Sequence, residues 1–226
     1  MWLNAGYVNF EGKPKVYRGR EVYHMDGKGA TYKSYDWIYK VRDSYQCYFD
    51  RESLKPLWFR SRTSEGGFEA DYTYSFDHQA NKVYAETWNS DRALRKDTLP
   101  LQPCTFDLMS IIYYARNLNF AGFREGDSIP ILAYINNQIQ SLYIRYQGKE
   151  NVKNKDHQVY RCIKLSVMMT DGTIFKSGEN LIIWMTNDKN RVPVIIEARI
   201  RVGAIKTYLK SATGLRNPQT AILKPK

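Results

Sequence analysis

The chain has 226 residues and a formal net charge of +11, with 43% hydrophobic and 14% aromatic side chains. This length is compatible with one large β domain, and the 18 Tyr and 5 Trp favour strands. Apolar runs that stay well below about 18 residues exclude a membrane-spanning helix. The three cysteines are too few for a disulfide framework, and the basic charge is accompanied by no nucleic-acid-binding motif.

The first half of the chain predicts antiparallel strands, each with one buried and one wet face. In the segment 68–76, aromatic residues and alanine alternate with acidic and hydroxyl residues, which is the period of a half-buried strand. The alternating residues Tyr35, Trp37, Tyr39 and Val41 predict a second strand of this kind.

One segment near the middle of the chain has the period of a helix. Its apolar residues recur at helical spacing: Leu108, Ile111, Ile112 and Ala115. This pattern predicts a helix over 107–117. Thr105 or Asp107 is expected to cap its first turn, because short polar side chains accept hydrogen bonds from the exposed backbone N–H groups there.

The second half of the chain returns to alternation. Asn136-Asn137 predicts a two-residue hairpin between strands 131–135 and 138–146, because Asn tolerates a positive φ. Segments 159–169 and 192–202 predict half-buried strands. Two further polar segments predict turns: Asp171-Gly172 and Asn187–Arg191.

From these elements we predict a mainly β fold: a single curved antiparallel sheet, or half-open barrel, of about a dozen strands with one helix packed against it. One domain is expected over 1–213, with the helix between two β halves. Two small domains are the alternative, although a β half alone would leave a sheet face uncovered. The segment 214–226 contains two prolines and little periodicity and is expected to be a loose C-terminal tail.

No group of residues points to catalysis. Three histidines without an HxH or HExxH arrangement predict no metal site, and no nucleophile elbow, Walker or Rossmann pattern occurs. The carboxylates Asp43, Asp50, Asp107 and Asp188 are expected to stabilise turns or cap the helix. A glycosidase would instead need two carboxylates facing each other across a cleft. We therefore expect a protein without enzymatic activity, cofactor or metal.

Three motifs stand out from the strand pattern. Val41–Pro56 has Arg-Asp at its start, an Asp at the end of the strand and Leu-Lys-Pro after it; Phe106–Arg116 forms the helix; and Trp184–Pro193 forms a hairpin. Together they resemble the bacterial family called domain of unknown function 3108, although Asn187 replaces an acidic residue of that pattern. The motif positions expected to have structural roles are Arg42, Asp43, Asp50, Asp107, Ser110, Trp184, Asp188, Arg191 and Pro193.

The resemblance implies a cellular location. Members of that family are usually exported from Gram-negative cells behind a leader, so it implies the periplasm or the cell envelope. The first residues of this chain lack the basic and apolar segments of a leader. By themselves they indicate either a cytosolic protein or one whose leader has been removed, and the resemblance favours a trimmed or miscalled start. The family has no established activity, and its plan is similar to that of LolA/LolB-type lipoprotein carriers.

Two hypotheses of function follow. In the first, the protein binds or carries a hydrophobic or lipid ligand on a concave sheet face, with basic residues meeting anionic headgroups. The candidate lining residues are Trp37, Tyr39, Tyr72, Tyr74, Ile111 and Ile112. In the second, it is a structural or protein-interaction domain of the envelope, filled by its own side chains and with an envelope protein as partner. We expect a monomer that binds no nucleic acid; an enzyme acting on envelope glycans or lipids is a third alternative.

Overall fold

The computed structural model describes residues 4–135, 137–169, 178–199 and 204–223. The contacts divide the chain into two compact units: unit 1 consists of residues 1–113 and 132–139, and unit 2 of residues 114–131 and 140–226. The fold is mainly β with one α-helix in the described part of the chain, which confirms the predicted fold class. The single domain expected over 1–213 stays a prediction.

Seven strands of unit 1 form an antiparallel meander in which each strand pairs with the next. Tight turns join most of them, and the β4–β5 turn contains Gly66 and Gly67 at φ values of 59° and 97°, which favour glycine. The strands are β1 Gly6–Tyr17, β2 Arg20–Thr31, β3 Arg42–Asp50, β4 Pro56–Glu65, β5 Phe68–Asp77, β6 Lys82–Asn89 and β7 Arg92–Pro100.

The core of unit 1 lies on one face of this sheet. Alternate residues of β5 are buried there, as the period-2 pattern of 68–76 predicted: Tyr74 is 1% exposed and Phe76 is 6% exposed. Phe49 from β3 and Phe59 from β4 belong to the same buried cluster. Because successive side chains of a strand point to opposite faces, the alternating polar residues face away from this core.

The strand predicted for Tyr35–Val41 is wrong. A short 3₁₀ helix, Lys33–Tyr35, and a turn occupy this segment instead. The backbone N–H groups of Ile38 and Tyr39 donate to the carbonyl oxygen of Tyr35, and the Asp36 carboxylate binds Thr31 and Arg42. These local bonds replace the strand ladder, so the aromatic residues of this segment do not belong to a sheet face.

The predicted helix is confirmed as α1, Ser110–Asn117, which follows the short strand β8, Thr105–Phe106. Asp107 caps it: its Oδ1 accepts hydrogen bonds from the backbone N–H groups of Met109 at 2.7 Å and Ser110 at 2.9 Å. Ser110 Oγ in turn accepts from the N–H of Asp107 at 3.1 Å. Both residues are fully buried, and Met109 and Tyr113 pack against the core of unit 1.

The strands that follow form a second, eight-stranded sheet, whereas one continuous sheet was expected. The ladder of the first sheet stops at Pro100, and the chain then turns through residues 101–104 before β8 pairs in parallel with β9. The remaining strands are β9 Ser128–Ile135, β10 Gln138–Lys153, β11 Val159–Met169, β12 Gly178–Thr186, β13 Pro193–Arg199, β14 Ala204–Tyr208 and β15 Ile222–Leu223.

The predicted hairpin after β9 is partly visible. Asn137 has a φ of 63°, as a two-residue hairpin requires, and its backbone N–H donates to the Tyr74 hydroxyl at 3.0 Å. Asn136, the Asp171-Gly172 turn and the residues 200–203 lie outside the described residues. Within the described residues, no helix combines the length and the apolar character needed to span a membrane.

The segment 217–223 is attached to the rest of unit 2, whereas a loose tail was expected for 214–226, of which residues 224–226 lie outside the described residues. Asp188 accepts hydrogen bonds from the backbone N–H groups of Thr220 and Ala221, and Asn190 Nδ2 donates to the carbonyl oxygen of Asn217 at 2.9 Å. Strand β15 then pairs with β11. The attachment depends on side chains far away in sequence, which periodicity does not reveal.

Candidate functional site

An open groove of about 480 Å³ lies on unit 1 across strands β1 to β6. Its floor is a row of directly paired residues, Lys28, Ser44, Arg62, Asp71 and Trp88, one from each of the strands β2 to β6. Cross-strand partners point to the same face of a sheet, so the five side chains lie side by side. This face is opposite to the one that carries the buried core.

The row contains two cations, Lys28 and Arg62, and one carboxylate, Asp71. Asp71 accepts two hydrogen bonds from Arg60, at 2.9 and 2.6 Å, and one from Arg62 Nε at 3.2 Å. The hydrogen bond from Arg60 is the main cause that lowers the pKa of Asp71. The Asp71 carboxylate therefore accepts hydrogen bonds from two guanidinium groups. Lys28 lies on the same row, with its Nζ 3.6 Å from Asp26.

Aromatic side chains stand at the two ends of the groove. Tyr7 from β1 is 46% exposed and Trp88 from β6 is 38% exposed, so both present ring surface to solvent. The Tyr7 ring also contacts the Tyr32 ring, with 5.8 Å between centroids. A polar floor between aromatic ends is suited to a ligand that has both an apolar part and a charged or hydrogen-bonding group.

A hydrogen-bonded pair of carboxyl groups, Asp43 and Glu65, lies where β3 and β4 border the groove, on the face of the sheet that also carries Tyr45. Burial raises the pKa of both groups, and the neighbouring charge of Asp43 raises that of Glu65 further, to about 7. Asp43 Oδ1 also accepts the backbone N–H of Ser64 at 3.2 Å, and burial raises the pKa of the adjacent Tyr45 hydroxyl above its usual range. A direct hydrogen bond between two carboxyl groups requires a proton on one of them, so the pair shares a proton below about pH 7.

This pair predicts a pH-dependent stability. The pKa of Glu65 is raised from 4.5 to about 7 in the folded protein, so its ionisation opposes folding, and that penalty develops as the pH rises between these values. Glu65→Gln is therefore expected to raise the free energy of unfolding by about 1–2 kcal/mol near pH 8, after allowance for its half-exposed position, and to change little near pH 4.

Urea denaturation of both proteins at the two pH values measures this effect. Glu69→Gln is the matched control, because Glu69 is an exposed residue on the neighbouring strand. An equal effect of Glu65→Gln at both pH values would contradict the shared proton.

The six predicted lining residues lie in three different environments of unit 1. Trp37 and Tyr39, 82% and 49% exposed, belong to the β2–β3 connection and not to a strand. Tyr72 and Tyr74 lie on the core face of β5, and Tyr74 is buried there. Ile111 and Ile112 are half-buried residues of α1. The structure does not bring these six side chains into the groove.

Sequence reasoning missed the groove residues themselves. Lys28, Arg62 and Trp88 occupy outward-facing positions of their strands, and such positions usually form a solvated face. The signal that could have found them is the repeated occurrence of basic and aromatic residues at outward positions. Grouping those positions into one row requires the strand register, which the alternation does not provide.

The motif residues of the first half make local structural contacts. Arg42 Nη2 donates to Asp36 Oδ2 at 2.6 Å, which lowers the pKa of Asp36. Asp50 accepts the backbone N–H groups of Glu52 and Ser53 in the β3–β4 turn. Burial alone would raise the pKa of Asp50, but these hydrogen bonds outweigh it and lower that pKa.

The motif residues of the second half make side-chain contacts within unit 2. Trp184 Nε1 donates to Glu150, and the Lys164 ammonium lies 5.3 Å from the Trp184 ring centroid. The Arg191 guanidinium lies over the Phe120 ring at 5.1 Å, and burial lowers its pKa. Two further motif positions are Asp188, which organises the 186–191 turn, and Pro193, which begins β13.

The chain resembles known proteins both in sequence and in fold. It matches, over residues 1–210, the model of the family described as "Protein of unknown function (DUF3108)". A crystal structure described as a beta-barrel-like protein of domain of unknown function DUF1849 from Brucella abortus has a TM-score of 0.56 and 10% identity, with 89% of this chain and 84% of that chain covered. At this identity the likeness shows the fold alone. Among curated proteins, none matches this sequence.

The family match covers nearly the whole chain, including the motifs at 41–56, 106–116 and 184–193. The resemblance seen in these motifs is thereby confirmed. The protein belongs to the DUF3108 family of proteins of unknown function.

Proposed function

We propose that this protein is a non-catalytic binding protein of the cell envelope that holds an amphipathic, lipid-like ligand with an anionic group in the groove of unit 1. The observation that carries the proposal is a row of three neighbouring side chains, Lys28, Ser44 and Arg62. This row lies between the exposed rings of Tyr7 and Trp88. Arginine and lysine recognise carboxylate or phosphate, and the aromatic rings offer apolar area to an acyl chain.

The guanidinium group of Arg62 favours an anionic group in the ligand. Arg62 and Arg60 both donate to Asp71. The contact from Arg60 is the shorter one, so Arg62 binds this carboxylate more weakly than Arg60 does. A ligand carboxylate or phosphate would bind the Nη groups of Arg62, whose Nε donates to Asp71. Ser44 offers a hydroxyl group between Arg62 and Lys28.

The carboxyl pair supports a role without catalysis. In glycoside hydrolases the two carboxyl groups are separated by roughly 5–9.5 Å, so that the substrate fits between them. Asp43 and Glu65 instead bond to each other. Their arrangement fits a structural contact between β3 and β4 better than an acid and base pair. The envelope location is supported by the resemblance to a family of exported proteins.

A titration with two matched probes tests the proposed ligand class. A dansyl-labelled fatty acid is expected to bind one site per chain with a micromolar dissociation constant, while its methyl ester, which lacks the charge, is expected to bind roughly tenfold more weakly. Fluorescence of the dansyl group at increasing protein concentration reports both affinities. Equal binding of acid and ester, or no saturable binding of either, would contradict the proposal.

The alternative is a structural or protein-interaction domain of the envelope, and the edge strand β1 favours it. β1 is 12 residues long, and ten of these residues are exposed to solvent. An exposed edge strand can accept a strand from another protein. Failure of both probes to bind, together with capture of an envelope protein through β1, would support this alternative.

A further inference from the structure

A cluster of exposed apolar side chains occupies the connection between β2 and β3. We call residues 32–41 the aromatic loop. Trp37 is 82% exposed, Ile38 56%, Tyr39 49% and Tyr32 38%. Single exposed apolar residues are ordinary, but four within one short connection form a patch of the kind that marks a contact surface.

The base of the aromatic loop is held by a polar network. Asp36 Oδ1 accepts the Thr31 hydroxyl at 2.6 Å, and both Asp36 oxygens accept the Arg42 guanidinium, at 3.1 and 2.6 Å. Trp37 Nε1 donates to the carbonyl oxygen of Ser34 at 3.0 Å. The bidentate ion pair fixes the geometry of the loop, so the exposed indole is presented by an ordered turn.

A second contact fixes the far side of the aromatic loop. The backbone N–H of Gly66 in the β4–β5 turn donates to the Lys40 carbonyl oxygen at 2.9 Å. The Tyr39 ring lies directly on Gly66, where an added Cβ would collide with Tyr39 Cε2. Tyr39 therefore packs on the β4–β5 turn, and Trp37 and Ile38 are the most exposed apolar side chains of the loop.

The charge around the aromatic loop favours an anionic surface. Residues 32–42 contain three cations, Lys33, Lys40 and Arg42, and one carboxylate, Asp36, which gives +2. The Asp43–Glu65 pair acts on Tyr39 and, with one shared proton, adds one negative charge, so the net charge around the loop is +1. Arg42 already pairs with Asp36, so the excess charge belongs to the two exposed lysines. Trp and Tyr beside Lys is the composition found where proteins sit in the headgroup region of a bilayer.

We propose that the aromatic loop docks the protein on an anionic lipid surface, with Trp37 and Ile38 inserted among the headgroups and Lys33 and Lys40 in contact with phosphates. The loop borders the groove, because Tyr32 contacts Tyr7 and Arg42 belongs to the groove lining. Docking would thus bring the groove to the membrane surface. The proposal goes beyond the proposed function and does not require it.

Co-sedimentation with vesicles tests the docking. The protein is expected to bind vesicles that mix phosphatidylglycerol with phosphatidylcholine and to bind pure phosphatidylcholine weakly. Trp37→Ser with Ile38→Ser is expected to weaken binding by roughly tenfold or more. Lys33→Gln with Lys40→Gln is expected to weaken it by about fivefold per lysine. Val16→Ser is the matched control, because Val16 is 73% exposed on β1 outside the loop.

Quenching of tryptophan fluorescence by brominated lipids gives a second readout that does not depend on the serine variants. Quenching of the unchanged protein by anionic brominated vesicles is expected, and Trp37→Phe, which keeps an aromatic ring in the loop, is expected to remove most of it while binding persists. Unchanged quenching in Trp37→Phe, or equal sedimentation of the Trp37→Ser/Ile38→Ser variant, would overturn the proposal.

Self-association is the outcome that would assign the surface to a second copy of the chain. If sedimentation velocity shows a dimer that Trp37→Ser/Ile38→Ser dissociates, the membrane proposal is overturned. The probe titration of the groove contains no vesicles, so a failure of membrane docking and a failure of the proposed ligand class are separate results.

Discussion

Tyr74→Ala is expected to lower the free energy of unfolding by about 3–5 kcal/mol, the range measured for loss of a buried aromatic ring. Tyr74 is 1% exposed, and its ring contacts those of Phe59 and Tyr134, with centroid distances of 5.9 and 4.8 Å. Removal of the ring would leave a cavity among these residues. Denaturation by urea, followed by circular dichroism, measures the change.

Tyr74→Phe is the control for this prediction. It keeps the ring and removes the hydroxyl that accepts the backbone N–H of Asn137, so about 1 kcal/mol is expected. The pair of variants also tests the sequence hypothesis that Tyr74 lines a ligand site. If Tyr74→Ala left stability unchanged and abolished binding of the fatty-acid probe, the ring would be a ligand contact and not part of the core.

Asp188→Ala is expected to lower the free energy of unfolding by about 2–4 kcal/mol, because five hydrogen bonds end on this carboxylate. Oδ1 accepts the Thr186 hydroxyl and the backbone N–H groups of Asn190 and Arg191. Oδ2 accepts those of Thr220 and Ala221. The carboxylate therefore closes the 186–191 turn and attaches the C-terminal segment to it.

Loss of the attachment is measurable by limited proteolysis. Arg216 is an exposed tryptic site just before the attached segment, and cleavage there is expected to be roughly tenfold faster in Asp188→Ala because the segment opens more often. Asp156→Ala is the matched control: Asp156 accepts a single turn hydrogen bond, from the Gln158 N–H, in the same unit. Equal cleavage rates in the two variants would show that Asp188 does not hold the segment.

The elements that the sequence predicts well are those with local signals. The alternation over 68–76 depends only on the side-chain period of a strand, and β5 follows it. The helix over 107–117 combines helical spacing with a capping residue, and Asp107 caps α1 as expected. In both cases propensity, spacing and burial agree, which is the condition under which local reasoning succeeds.

The elements that the sequence misses depend on contacts between distant residues. The aromatic alternation at 35–41 looks like a strand, but Asp36 binds Thr31 and Arg42 on either side and folds the segment into a loop. The segment 217–223 is held by the side chains of Asp188 and Asn190, and an attachment of this kind does not require a periodic pattern in the segment itself. Side-chain bonds of this kind leave no periodic trace in the chain.

The groove also depends on residues that are far apart in the sequence, so it could not be predicted from local patterns. Its row joins residues from five strands, and only the register places Lys28 and Arg62 on the two sides of Ser44. The sequence directed attention to the most aromatic strands, and their inward residues, such as Tyr74, form the core. The binding groups lie instead on the outward face, where polar residues are the expectation for any half-buried sheet.

The most direct test of the proposed ligand site compares one charge in the groove with one charge outside it. Arg62→Gln and Arg95→Gln each remove one positive charge, and Arg95 is 71% exposed on β7. In titrations with the dansyl fatty acid and its methyl ester, Arg62→Gln is expected to weaken binding of the acid roughly tenfold and to leave the ester unchanged, with Arg95→Gln neutral for both. Equal effects of the two variants on the acid would contradict a ligand anion at Arg62.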